Sequence, residues 1–264
     1  MIIKRILITG AGTGIGKDSA LALAKRGHKV IATTETEEQS LSLQKEIKSH
    51  NLDIVVFKLD ITNEQDRKKI EEHDLDVLIN NAGIGESGSL AEIDINKVRH
   101  NFEVNVFSAF EISQLALKKM LKREQGTIVF VSSLAGRITM PFLGPYCMTK
   151  FALSAGAEAL RAEIHKVRKN VHVCLIEPGG YHTGFNQKNI AKKYMWMNEH
   201  SVFYPIIDQI KASEERQFRM IESVTTLNIV KKIVRAAEAK KPGLRYSSPW
   251  WQAFGTQVLR MFGK

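Results

Sequence analysis

Tyr146 and Lys150 lie four residues apart in Tyr-Cys-Met-Thr-Lys, so one helical turn sets them on the same face. A tyrosine titrates near ~10, and acid–base work near neutrality asks for a shift of about 3 units, roughly 4 kcal/mol. A neighbouring ammonium favours the phenolate, which is the direction needed. Such a tyrosine can give a proton to a carbonyl oxygen or take one from an alcohol. Alone, the pair is commonplace on helix surfaces. The same helix continues with Leu153, Ala157, Leu160, Ile164 and Val167, a stripe suited to core or subunit interface. A second chemical feature stands near the start of the chain: Thr9-Gly10-Ala11-Gly12-Thr13-Gly14-Ile15-Gly16, between an aliphatic run and a helical stretch. Glycines there permit tight turning and close approach of backbone N–H groups to a pyrophosphate. The following helix N-terminus adds partial positive charge. The spacing is GxxxGxG on Gly10, Gly14 and Gly16, since position 15, where GxGxxG needs a glycine, is Ile15.

Other motifs follow in order. Asp60 follows an apolar run, Asn80-Asn81-Ala82-Gly83 follows another, and Asn105 sits in a long helical segment. Ser132-Ser133 precede the Tyr-x-x-x-Lys, and Pro178-Gly179-Gly180-Tyr181-His182-Thr183 comes after it. In this company the chain resembles the short-chain dehydrogenase/reductase family over residues 9–183. The resemblance implies a Rossmann-like fold and hydride transfer between a nicotinamide cofactor and a hydroxyl or carbonyl group. It selects Ser133, 13 positions before Tyr146, to polarise the substrate oxygen. Tyr146 becomes the acid/base, Lys150 a partner to the nicotinamide ribose, and Asn105 the holder of a water linking Lys150 to solvent. Cofactor contacts are implied for Gly10, Thr13, Gly14, Ile15, Gly16, Thr34, Asp60, Ile61, Asn81, Ala82, Gly83, Tyr146, Lys150, Pro178, Gly179 and Thr183. A homodimer or homotetramer built on the helices near 97–123 and 146–168 is implied as well.

Cofactor choice turns on the end of the second strand. NAD-preferring relatives carry an acid at the position of Thr34, and NADP-preferring ones carry a base at 35 or 13. Here those positions are Glu35 and Thr13. A carboxylate at 35 repels a 2′-phosphate, so NAD(H) is favoured and NADP(H) stays open. The eight histidines show no paired-ligand spacing and the two cysteines no metal framework, so no metal is expected. His182, inside the Pro-Gly-x-x-x-Thr loop, is the histidine placed to touch substrate or cofactor.

The elements that must position these groups alternate along the chain. Apolar runs at 4–9, 29–34, 54–59, 77–79, 127–131 and 171–176 are separated by helical patterns at 17–26, 37–49, 64–72, 96–123 and 146–168. That rhythm predicts an α/β fold, a doubly wound parallel sheet with helices on both faces. Ile128-Val129-Phe130-Val131 is apolar without alternation, as a strand buried on both faces requires. One domain is expected over 1–264. Residues 1–183 form its cofactor and catalytic core, 184–223 a substrate lid, and 224–264 a helix, an edge strand at 244–247 and an amphipathic tail.

Lys and Arg outnumber Asp and Glu by 38 to 28, and residues 187–264 hold 14 against 6. No zinc spacing or stacking aromatics accompany this charge, so nucleic acid is not expected. Met195, Trp196, Met197, Phe203 and Tyr204, beside Lys188, Lys192 and Lys193, suit either a wall for a lipid-like or aromatic carbonyl or a plain cover for the core. In the tail, Trp251, Phe254, Val258 and Phe262 recur at helical spacing with Arg260 and Lys264. Packing on the domain or a partner is favoured over a membrane surface there, because glycines weaken an isolated helix. No run is long enough to span a bilayer, no signal-peptide pattern opens the chain, and a reducing, cytoplasmic setting is the expectation. Two other classes remain: a non-catalytic dinucleotide-binding regulator, and a peripheral membrane reductase of lipids.

Overall fold

The computed structural model describes residues 2–167 and 169–263, apart from the side chain of Ile190. The helix expected over 146–168 and the tail charge at Lys264 each reach a residue outside that set. Seven strands form one parallel sheet in the order β3-β2-β1-β4-β5-β6-β7. They are β1 (Arg5–Ile8), β2 (Lys29–Thr34), β3 (Ile54–Lys58), β4 (Val77–Asn80), β5 (Gln125–Val131), β6 (Asn170–Pro178) and β7 (Arg245–Ser248). Leu7, Leu78, Ile128 and Leu175 face one apolar layer, and Ile6, Ile79, Val129 and Ile176 face the other. Alternate residues therefore bury on opposite sides, which is why these strands read as unbroken apolar runs.

The first layer is covered by α4 (Ile95–Phe102), α5 (Ser108–Lys122) and α6 (Gly144–Lys166). The second is covered by α1 (Gly14–Lys25), α2 (Glu37–Ser49) and α9 (Leu227–Glu238). The segment expected as one helix over 96–123 is α4 and α5 joined by a π-helical turn, Glu103–Phe107. Beyond β6 the chain adds α7 (Phe185–Lys193), α8 (Ile207–Ile221) and α10 (Trp250–Met261). Among the described residues no helix is long and apolar enough to cross a membrane.

The strand order reverses between β1 and β4, and the carboxyl ends of the strands open a crevice there, the usual ligand position in such sheets. Short α3 (Glu64–Lys68) fixes one rim of it. Its Asp66 is buried. Burial opposes the charge, but hydrogen bonds from Lys58, Lys69 and the Asp60 N–H overrule it and hold the carboxyl at about 2. The Asp60 N–H donates to Asp66 at 2.9 Å, so α3 sets the backbone of Asp60 at the end of β3. A carboxyl held below its unfolded value stabilises the fold above about pH 4 and loses that effect as pH falls toward about 2. Asp66→Asn is expected to cost about 1–2 kcal/mol at neutral pH and to flatten this acid limb. Urea unfolding at several pH values reads both effects.

Candidate functional site

A cleft of about 870 Å³ runs along the carboxyl ends of β1 to β6. Its floor is the glycine loop. Gly10 has φ +64°, and a Cβ there would meet the Ala82 Cα at 2.7 Å. A Cβ on Gly16 would lie 2.3 Å from the Asn81 Nδ2 and 2.5 Å from the Gly10 carbonyl oxygen. Side chains are thus shut out wherever the loop meets the turn after β4. The two are tied by Thr9, whose Oγ1 accepts from the N–H groups of Asn81 (3.1 Å) and Ala82 (3.0 Å). In return the Asn81 amide donates to the carbonyls of Thr9 and Gly10. Asn81 lines the cleft, but its Nδ2 holds the loop. Thr9 opens the glycine motif, where spacing assigns it no role; its hydroxyl bridges the loop and the turn.

Of the residues expected to contact a cofactor, Gly10, Thr13, Gly14, Ile15, Gly16, Asp60, Ile61, Ala82, Gly83, Pro178, Gly179 and Thr183 line this cleft. Thr183 lies over Gly14, where an added Cβ would sit 3.2 Å from its own. Thr34 does not reach the cleft. It is buried, with its hydroxyl at 2.5 Å from Ser40 Oγ and 3.0 Å from the Thr36 carbonyl. The strand pleat points residue 34 inward and leaves Glu35 and Gln39 on the wall instead.

Ser133, Tyr146 and Lys150 come together at the other end. Ser133 has extended backbone, accepts from the Ala135 N–H at 3.1 Å and donates to the Pro178 carbonyl. Burial pushes the Tyr146 phenol up, against the pull of Ser133. Burial also lowers Lys150, to about 8. Its Nζ donates to the Val131 carbonyl at 3.0 Å and lies 5.6 Å from the Tyr146 ring centre. The expected downward pull on the phenol is therefore not the net effect. Desolvation of the ring outweighs an ammonium at that distance. Ser132 is structural: its hydroxyl binds the Lys150 carbonyl and Ser154. Cys147 is buried.

Asn105 sits in the π-helical turn and is 1% exposed. Its Oδ1 accepts from the Ile84 N–H, and its Nδ2 reaches the Ile84 carbonyl, Asn101 Oδ1 and Thr149 Oγ1. Asn105 does not line the cleft. It braces the loop after the Asn80–Gly83 turn, at Ile84, against Thr149 of α6, one residue from Lys150. The π turn supplies this by turning one extra residue inward, a device frequent at functional sites.

The aromatic residues expected as a substrate wall lie elsewhere. Met197 is buried, Trp196 packs over Gly88 beneath Lys97, and Phe203 meets Phe142 edge-on at 5.2 Å. Met195 and Tyr204 are exposed. Phe185 on α7, Phe218 and Ile221 on α8, and Trp251 and Leu259 on α10 line the cleft instead. The Phe185 ring stands 5.9 Å from Tyr146. Lys188 and Lys192 reach the cleft too, with Lys192 4.0 Å from Glu86. His182 faces Glu222 at 2.9 Å and is exposed, away from the cleft. Among the described residues, no group of His, Cys, Asp and Glu is placed to hold a metal.

The model of the short chain dehydrogenase family matches residues 4–194. A probable short-chain type dehydrogenase/reductase of Helicobacter pylori is 38% identical over 179 residues, covering 66% of this chain and 63% of that protein. A 3-ketodihydrosphingosine reductase of Bacteroides thetaiotaomicron is 31% identical over 200 residues, covering 74% and 70%. Among solved structures, a short chain dehydrogenase/reductase of Burkholderia phymatum in complex with NAD superposes with a TM-score of 0.80 at 21% identity, covering 97% and 92%. The chain belongs to the short-chain dehydrogenase/reductase family, a family of oxidoreductases with a Rossmann-like parallel sheet.

Proposed function

We propose that this chain interconverts a secondary alcohol and a ketone on an apolar substrate, using a nicotinamide dinucleotide. The observation that carries the reading is the convergence of Ser133, Tyr146 and Lys150 with the glycine loop on one cleft. Its size suits a ligand of that class. The glycine loop fits the dinucleotide, because its side-chain-free surface and the N-terminus of α1 face the cleft. Gly10 to Gly16 would hold the pyrophosphate, Asp60 and Ile61 the adenine end, and Lys150 the nicotinamide ribose. The nicotinamide, when bound, supplies or accepts the hydride.

The chain's own residues supply binding, orientation and the proton. Ser133 donates to the substrate oxygen and stabilises the charge that develops there. Tyr146 gives that oxygen its proton in reduction and removes it in oxidation. Lys150 stabilises the phenolate left behind. Phe185, Phe218, Trp251 and Leu259 exclude water from the far end of the cleft and favour an apolar substrate. The name of the Bacteroides relative, a 3-ketodihydrosphingosine reductase, supports a lipid ketone. Segment 184–223 acts as the cover of this end, with α7 and α8 carrying its contacts. Glu35 on the adenosine wall supports NAD(H) over NADP(H).

Tyr146→Phe is expected to lower turnover by about 10²–10⁴-fold while the affinity for NADH stays within about twofold. Turnover equal to the wild type removes the assignment. Reduction needs the phenol protonated, and burial raises it, so reduction should hold level across neutral pH. It should fall as pH rises through about 8, where Lys150 loses its proton. A profile flat well beyond that value assigns no role to the ammonium. In fluorescence titrations, Glu35→Gln should tighten NADPH by about tenfold, roughly 1.4 kcal/mol, and leave NADH nearly unchanged. An unchanged NADPH affinity means that Glu35 does not set the preference.

A further inference from the structure

Helix α10 is turned inside out. A surface helix ordinarily buries its apolar stripe and shows its polar face to water. Here the residue of α10 that is buried is Thr256. The polar Gln252 makes the anchoring contacts. Its Oε1 accepts from the Gly180 N–H at 2.9 Å, and its Nε2 donates to the Ile221 carbonyl at 2.7 Å. Gln257 accepts from Arg137 at 2.6 Å. Trp250, Phe254 and Met261 of α10, and Phe262 just after it, point outward: Trp250 is 78% exposed, Phe254 65%, Met261 68% and Phe262 80%. Positions 250, 254, 258 and 261 recur at intervals of three and four, so they form one continuous face. Met220 and Val224, on the segment whose Ile221 meets Gln252, are exposed as well.

We infer that this face docks on an anionic lipid surface. Trp, Phe and Met side chains with adjacent cations are the composition of a helix lying in a membrane interface. Arg219 beside Met220 and Arg260 beside Met261 are exposed. Residues 187–264 carry 14 Lys and Arg against 6 Asp and Glu. That charge is attracted to anionic headgroups and repels a second copy of the same face. The opposite side of α10 places Trp251, Gln252, Gly255, Thr256 and Leu259 on the cleft wall. One helix thus lies between the lipid surface and the cleft, so an apolar substrate dissolved in the bilayer meets the protein at its binding end. The docking itself does not depend on the redox reading, because it is tested without turnover.

The test is sedimentation of the full chain with vesicles of phosphatidylcholine, alone or with roughly one third phosphatidylserine. Wild type is expected to pellet with the mixed vesicles, at least about fivefold less with phosphatidylcholine alone, and less in about 0.5 M salt. The double variant Trp250→Ser/Phe254→Ser touches no residue of the cleft. It should bind the mixed vesicles on the order of tenfold more weakly or worse, with an unchanged melting temperature. Failure of the wild type to pellet overturns the inference, and so does equal pelleting of the double variant. A lipid-free dimer that the same double variant dissolves assigns the face to a second copy instead, and overturns it too.

Discussion

Backbone must touch backbone where β1 and β4 leave the sheet, and the rest of the site depends on that contact. The approach is close enough that Gly10 and Gly16 admit no Cβ. Thr9 and Asn81 hold it with four hydrogen bonds between the loop and the turn. A buried backbone polar group left without a partner is costly, so these side chains substitute for the sheet ladder where it ends. The turn so placed leads to Gly83 and Ile84. Ile84 is gripped by Asn105, and the same amide reaches Thr149 beside Lys150. The loop that suits a dinucleotide and the lysine next to the phenol are therefore parts of one braced frame.

Much of this frame was legible because it rests on local pattern. The apolar runs gave β2 and α2 to the residue, and the other strands of the sheet to within about three residues at either end. Motif spacing placed Ser133, Tyr146 and Lys150 on one wall, since Ser133 follows the end of β5 and the other two share a face within the first two turns of α6. Three features were not legible, each for a physical reason. The π turn in 96–123 keeps helical periodicity on both sides and adds a residue only where long-range partners accept one. Thr34 sits at a strand end, where a pleat of period two decides between core and cleft, and Ser40 settles it. The apolar residues of 195–204 have the composition of a binding wall, but tertiary packing assigns Trp196 to Gly88 and Phe203 to Phe142 and leaves Met195 and Tyr204 exposed.

The substrate end illustrates a broader point about apolar residues on helices. Periodicity predicts that an apolar face will be covered and is silent about by what. In α9 the sheet covers it, with Ile229 and Ile233 fully buried. In α10 the same kind of stripe faces outward, because Gln252 and Thr256 take the inward positions. Polar anchoring lets a helix stay docked without using its apolar surface. The expectation that the tail packs on the domain is met in position and reversed in orientation.

The walls of the cleft are contributed in a fixed temporal order. Gly10 to Gly16 emerge from the ribosome first, the Asn80–Gly83 turn and Tyr146 later, and Trp251 and Leu259 after β6 and α9 have been made. A chain made as far as Thr183 already holds the glycine loop, Ser133, Tyr146 and Lys150, yet lacks the α10 side of the crevice. The apolar end of the crevice is therefore the last part of it to be walled, by chain made after the other walls.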